Sequence, residues 1–329
     1  MGQLVDGKWV ERPLAKTDEG GSFVRPSSPF RSWITQDGAA GPSGEAGFAA
    51  EPGRYHLYVS YACPWAHRTL IFRALKGLED MISVSTVNPL MLDQGWTFED
   101  APGVIPDPIH NARFLHQVYT AADPGFTGKV TVPVLWDRKR GTIVSNESSE
   151  IIRMFNSAFD GVGATPGDYY PEELRAGIDA VNDRVYETLN NGVYRAGFAT
   201  AQTAYEAAFD ALFETLDWME DRLSRQPYLA GDRVTEADLR ALPTLLRFDP
   251  VYYGHFKANK RRIADYPALS SYTRALYQAP GVAETVNLAH IKGHYYGSHR
   301  HINPTGIVPK GPAIDYAAPH DRQSVEIPS

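Results

Sequence analysis

One residue in the chain has an obvious capacity for covalent chemistry. Cys63 opens the run Cys63-Pro64-Trp65-Ala66 and is the single cysteine among 329 residues. Leu70, Ile71, Ala74 and Leu75 recur at helical spacing, with Pro64 at the first helical position, so Cys63 is placed at a helix N-terminus. There a sulfur faces unpaired backbone N–H groups and the positive end of the helix dipole. Both favour the thiolate and lower a thiol pKa from about 8.5. Thiolate is the form that attacks sulfur. Ala66 stands where a Cys-x-x-Cys pair would carry its second thiol. A reactive Cys63 therefore needs an external thiol to resolve any mixed disulfide. The alternative is a buried, inert cysteine, since free Cys behaves as a small apolar residue.

Two further stretches suit a peptide-like ligand. Val132-Pro133 opens a β-rich run; proline is tolerated in strands mainly at edges and bulges. With a cis bond, the Val132 N–H and C=O can turn outward and pair with a ligand backbone as an added strand does. Ser145-Asn146-Glu147-Ser148-Ser149 reads as a helix start. Its serines and N–H groups suit a carboxylate, and Glu147 suits an α-amine. Together they fit a γ-glutamyl head group; ordinary helix capping is the competing explanation.

The elements that position these residues follow from periodicity. Residues 55–60 read as a strand, 64–76 as a helix stopped by Gly77, and 82–87 as a second strand, which makes a βαβ unit. The stretch 88–128 breaks the pattern and reads as an insertion of functional size. Residues 130–136 and 142–145 then form a hairpin, followed by a helix from about 147 to 156. From Tyr205 the apolar residues Ala208, Phe209, Leu212, Leu216, Met219 and Leu223 mark one helix face. Thr235 and Asp238 read as a capping box, with Val234 and Leu239 as its hydrophobic staple.

The expected division is an extended arm over 1–50 and a thioredoxin-like domain over 51–160 with its insertion at 88–128. An all-helical domain follows over 170–290, then a non-helical Pro-rich tail over 291–329. A formal charge of −7 argues against a nucleic-acid binder, and the apolar fraction of 43% supports a sizeable core. A polar N-terminus and the lack of a long apolar run argue against secretion and membrane insertion, so a cytoplasmic protein is expected. One cysteine excludes Cys₄ and Cys₂His₂ zinc sites. His290 and His294 share i, i+4 spacing, but without the carboxylate of a His-Glu-x-x-His motif no metal is expected.

The order βαβ-ββα followed by helices, with a thiol at the first helix start, resembles the glutathione S-transferase superfamily. The closer resemblance is to its glutathionyl-hydroquinone reductases, the Xi class. It rests on Tyr61-Ala62-Cys63-Pro64-Trp65-Ala66-His67-Arg68, Val132-Pro133-Val134-Leu135-Trp136-Asp137 and Ser145-Asn146-Glu147-Ser148. Arg247-Phe248-Asp249, Val251-Tyr252, His255-Phe256-Lys257, His294-Tyr295-Tyr296 and the tail run from Ile302 to Pro309 extend it over nearly the whole chain. The cysteine motif alone is shared with Omega-class enzymes.

The resemblance implies a thioredoxin-like α/β domain followed by an all-α glutathione-transferase-type domain, a homodimer, and glutathione as co-substrate. It implies Cys63 as nucleophile. Trp96, Lys129, the Val132 backbone, Glu147 and Ser148 would hold glutathione. Lys129 departs from the arginine of many relatives, keeping the charge but losing the planar fork. Tyr194 would be the acid/base group, with Tyr252 and Tyr295 as hydrogen-bond donors; the adjacent Tyr253 and Tyr296 stand as alternatives. The implied reaction reduces an aromatic glutathione conjugate, a glutathionyl-hydroquinone, through a Cys63–glutathione mixed disulfide. Competing readings are an Omega-like thiol transferase or dehydroascorbate reductase, a non-catalytic binding module of the same shape, and a conjugating transferase. The last normally uses Ser or Tyr at the first helix start.

Overall fold

The computed structural model describes residues 1–12 and 15–322. The last residues assigned to the tail, 323–329, lie outside the described residues. The chain divides into two compact units. The first gathers 1–14, 26–166 and 285–300; the second gathers 15–25, 167–284 and 301–329. The expected arm and tail are thus each shared between the units.

The first unit begins with a hairpin of β1 (Gly2–Val5) and β2 (Lys8–Glu11). Its main sheet is built from β5 (Tyr55–Val59), β6 (Ile82–Thr86), β7 (Val134–Asp137) and β8 (Thr142–Ser145), in the order β6-β5-β7-β8. β5 is parallel to β6 and antiparallel to β7, which is antiparallel to β8. All five residues of β5 are buried, as a central strand covered on both faces requires.

Helix α1 (Pro64–Leu75) ends as its sequence demands. Gly77 has φ +59°, and Gly77 N and Leu78 N donate to Ala74 O and Arg73 O at 3.0 and 2.8 Å. This is the paired bonding of a Schellman stop, which needs a left-handed residue. Helix α2 (Leu115–Ala122) lies inside the expected insertion, and α3 (Ser148–Ser157) follows the hairpin. The expected βαβ and ββα halves are both present, with α2 as an added helix between them. Strand β7 begins at Val134, not at 130; Pro133 has no N–H to give the ladder, and the Val132–Pro133 bond is cis.

The second unit carries a small hairpin, β3 (Lys16–Thr17) with β4 (Phe23–Val24). Its helices are α4 (Arg175–Val185), α5 (Gly192–Gly197), α6 (Gln202–Leu223), α7 (Glu236–Arg247), the single turn α8 (Tyr253–His255) and α9 (Pro267–Tyr277). Leu212, Leu216 and Met219 of α6 join Leu242 and Leu245 of α7 and Leu269 and Leu276 of α9 in its buried core. The expected capping box is present: Asp238 Oδ2 accepts from Thr235 N at 2.8 Å and Thr235 Oγ1 at 2.9 Å. Two π-helical turns, Tyr186–Asn190 and Phe248–Tyr252, were not foreseen.

Helix α10 (Leu288–Ser298) corrects the non-helical reading from 291 onward. Asn287 caps it by accepting from His290 N at 3.0 Å. Ile291, His294, Tyr295 and Ser298 bury one face at the spacing of a helix. Gly293 and Gly297 disguise that pattern. At Gly297 a Cβ would lie 2.6 Å from Leu90 Cδ2, so a larger residue there would displace the exposed Leu90 side chain.

Candidate active site

The topology of the first unit brings three separate segments to one edge of the sheet. Tyr58 near the end of β5 pairs with Val134 at the start of β7, and Ser145 at the end of β8 pairs with Leu135. The turn into α1, the residues before β7 and the turn into α3 therefore meet at that edge. They carry Cys63, Val132 and the pair Glu147–Ser148.

Cys63 is the N-cap of α1, with extended backbone and Pro64 next to it. Its carbonyl accepts the helix bond from His67 N at 3.0 Å, and its own N–H donates to Ser60 O at 3.1 Å. The thiol is half-buried, and Sγ lies 3.5 Å from the Val132 carbonyl oxygen, within reach of an S–H donor. Buried Arg68, one turn into the helix, stacks its guanidinium 4.7 Å over the Trp65 ring.

Glu147 is the N-cap of α3. Its Oε1 accepts from Ser149 N at 3.1 Å and Ser149 Oγ at 2.8 Å, and Oε2 accepts from Ser28 Oγ at 3.0 Å. Burial pushes this carboxyl up, but the Ser149 and Ser28 donors and the Arg68 charge outweigh it and hold it below its ordinary value. Glu147 is thus an anion at a helix start. Ser148, at the first helical position, is buried.

Lys129 lies three residues ahead of Val132, half-buried, its pKa lowered by burial. Tyr119 on α2 fixes this segment. Its hydroxyl donates to Thr131 O at 2.9 Å while accepting from Thr131 N at 3.2 Å and Asn146 Nδ2 at 3.1 Å. One buried phenol thus couples the residues before Val132 to the start of α3. The sequence reading missed Tyr119 because it treated α2 as insertion. The signal was present in Leu115, Val118 and Tyr119, whose spacing marks one helix face.

Trp96 and Tyr295 come together through His294. The Trp96 and His294 rings stack at 4.8 Å, and Tyr295 meets His294 edge-on at 5.2 Å. His294 Nδ1 lies 2.9 Å from Pro89 O and His290 Nε2 lies 2.6 Å from Pro102 O, so the insertion clamps α10 through two backbone carbonyls. Tyr61, two residues before Cys63, meets the His290 ring edge-on at 5.6 Å. Among the described residues no cluster of three His, Cys, Asp or Glu side chains forms a metal site.

Tyr194 and Tyr252 belong to the second unit. Their ring centroids are 6.1 Å apart, and Phe256 stacks on Tyr252 at 5.5 Å. Gly197 makes room for that aromatic wall, because a Cβ there would lie 2.2 Å from the Phe256 ring. Each tyrosine follows or ends a π-helical turn, a local widening frequent at functional sites. Within the pairs Tyr252–Tyr253 and Tyr295–Tyr296, the first member is the buried one.

Comparison with known proteins agrees with this architecture. Residues 62–158 match the glutathione S-transferase N-terminal domain family and 202–275 the C-terminal domain family. The chain is 58% identical over 98% of its length to the glutathionyl-hydroquinone reductase YqjG of Escherichia coli, covering 98% of that protein. The glutathione-bound structure of YqjG superposes with a TM-score of 0.91, covering 98% of this chain and 99% of that one. The glutathionyl-hydroquinone reductase PcpF of Sphingobium chlorophenolicum is 59% identical over 95% of this chain and 97% of its own. An Xi-class glutathione transferase structure from Natrialba magadii, 47% identical, superposes at 0.89 over 99% of this chain and 98% of its own. The chain belongs to the glutathionyl-hydroquinone reductases, the Xi class of the glutathione S-transferase superfamily.

Proposed function

We propose that this protein is a glutathione-dependent oxidoreductase that converts glutathionyl-hydroquinones to hydroquinones. The observation that carries the reading is the place of Cys63: a half-buried sulfur at the N-cap of α1, on the sheet edge shared with Val132 and the start of α3. The helix N–H groups and dipole favour negative charge on that sulfur, while the Val132 carbonyl opposes it.

Direct attack on an aryl thioether would expel an aryl carbanion, a prohibitive leaving group. If the ring first tautomerises to a ketone, the leaving group is an enolate. Cys63 Sγ then attacks the glutathione sulfur, the carbon–sulfur bond breaks, and its electron pair enters the enolate, which takes up a proton as the hydroquinone. A second glutathione thiolate attacks the Cys63–glutathione disulfide. Glutathione disulfide leaves and the thiolate returns, a ping-pong cycle. Overall, a conjugate and one glutathione give a hydroquinone and glutathione disulfide, with the glutathione thiol hydrogen ending on the ring.

We assign Cys63 as nucleophile and Trp96, Lys129, Val132, Glu147 and Ser148 to glutathione. Tyr194 is assigned as proton donor and acceptor, with Tyr252 and Tyr295 as hydrogen-bond donors to the active-site thiol and the substrate. Phenols suit these tasks because they exchange protons and stack on an aromatic ring. In this reading the thioredoxin-like domain over 51–160 holds glutathione and the helical domain over 170–290 takes the ring, while the arm and tail support them. The protein acts as a homodimer in the cytoplasm.

Intact mass after incubation with a glutathionyl-hydroquinone, without free glutathione, tests the first half-reaction. The expected product is one added glutathione, located at Cys63 by peptide mapping. Hydroquinone release with no mass increase, or a Cys63→Ser variant that still turns over, overturns the mechanism.

A further inference from the structure

We infer that Arg25, from the segment before the sheet domain, is a positioning residue for Tyr194 that stabilises negative charge on its phenol during proton transfer. The inference rests on the role proposed above for Tyr194. It concerns side chains of the second unit alone. The Arg25 guanidinium lies 4.8 Å from the centroid of the Tyr194 ring and 5.2 Å from that of Phe23. Arg25 Nε donates to Asn191 Oδ1 at 2.7 Å, and Asn191 is the N-cap of α5, the helix that carries Tyr194. The same backbone turn therefore fixes both cation and phenol. The hairpin β3–β4 that delivers Arg25 is docked beyond the other end of α5: Thr200 N donates to Gly21 O at 3.0 Å. Phe23 packs on Phe198 at 5.4 Å and on Tyr194 at 6.4 Å.

A guanidinium over a phenol is a modest attraction while the phenol is neutral. It becomes a direct charge–charge attraction as the proton leaves, and a half-buried site screens that attraction less than open water does. Arg25 thus favours the state in which Tyr194 has given its proton to the substrate. Interactions made mainly in the transition state raise kcat, whereas uniform binding changes KM. Thiol–disulfide exchange at Cys63 needs no such proton donor.

The test compares two reactions of the full-length protein: reduction of a glutathionyl-hydroquinone, and exchange with bis(2-hydroxyethyl) disulfide. In Arg25→Met, kcat for the hydroquinone conjugate falls about ten-fold while KM stays within about two-fold, and disulfide exchange is retained. Arg25→Lys, which keeps the charge, restores most of the loss. In a Tyr194→Phe background Arg25→Met costs nothing more, because the group it acts through is gone. A wild-type kcat in Arg25→Met overturns the inference, as does the same ten-fold loss without Tyr194. If Arg25→Met misfolds, Arg25→Lys decides: equal loss of both reactions marks a mere tether. Tyr194→Phe alone separates the two ideas. Full hydroquinone activity in that variant sinks the proton-transfer role and this inference with it; its collapse beside an unaffected Arg25→Met sinks only the latter.

Discussion

At the scale of residues, chemistry and stability place opposite demands on buried polar groups in the first unit. Cys63 keeps partial exposure, but His56 in the central strand is fully buried. Its Nδ1 and Nε2 lie 2.7 and 2.8 Å from the hydroxyls of Ser83 and Ser85 on β6. Burial lowers its pKa from 6.5 to about 4. The unfolded chain therefore binds a proton in a range where the folded protein does not. Stability from this group is complete above about pH 6.5 and is lost as pH falls toward about 4, by roughly 3 kcal/mol in all. Denaturant unfolding between pH 7.5 and 4.5 measures it. His56→Gln is expected to flatten the slope; an unchanged slope would remove His56 as the source.

At the scale of elements, side chains fix the starts of α3, α7 and α10, and the clearest case is α7. The Asp238 carboxylate accepts from Thr235 N and Oγ1 and from Leu229 N at 2.8 Å and Tyr272 Oη at 2.7 Å. Four donors converge on one buried group. An amide in its place turns an N–H₂ toward those donors and leaves some unpaired. Asp238→Asn is expected to destabilise by about 2–4 kcal/mol, read from its urea midpoint. A change below about 0.5 kcal/mol would mean the box is dispensable. Asp238 and Thr235 were legible in the sequence because a capping box is local. Tyr272, thirty-four residues on, was not, since only packing of α9 beside α7 brings it there.

At the scale of the whole molecule, the chain returns across itself. The described part of the tail lies along the helical unit: Tyr316 Oη donates to Leu246 O at 2.8 Å, and Gln278 Nε2 donates to Tyr316 O and Ala318 O, both at 2.9 Å. Arg322 Nη1 and Nη2 donate to Pro227 O and Leu223 O, both at 2.7 Å. These bonds close the ends of α6, α7 and α9 with a segment that has no regular structure of its own. Truncation after residue 300 is expected to lower Tm by about 5 °C or more, followed by circular dichroism. An unchanged Tm would show that the tail adds no stability to those helices.

The sequence by itself determined whatever depends on neighbours along the chain. Pro64 and Gly77 bounded α1, Thr235 and Asp238 capped α7, and short motifs spread from Tyr61 to Pro309 together carried the family resemblance. A local pattern needs no fold to be read. The tertiary structure decided what depends on distant partners. It made α10 a helix despite two glycines, through contacts with the insertion. It turned the supposed insertion into an element whose Tyr119 holds the Val132 segment against α3. It also set Arg25 over Tyr194, 169 residues away by subtraction of their numbers. Side chains so far apart in sequence meet only when the hydrophobic core has fixed the elements that carry them, and no periodicity records that meeting.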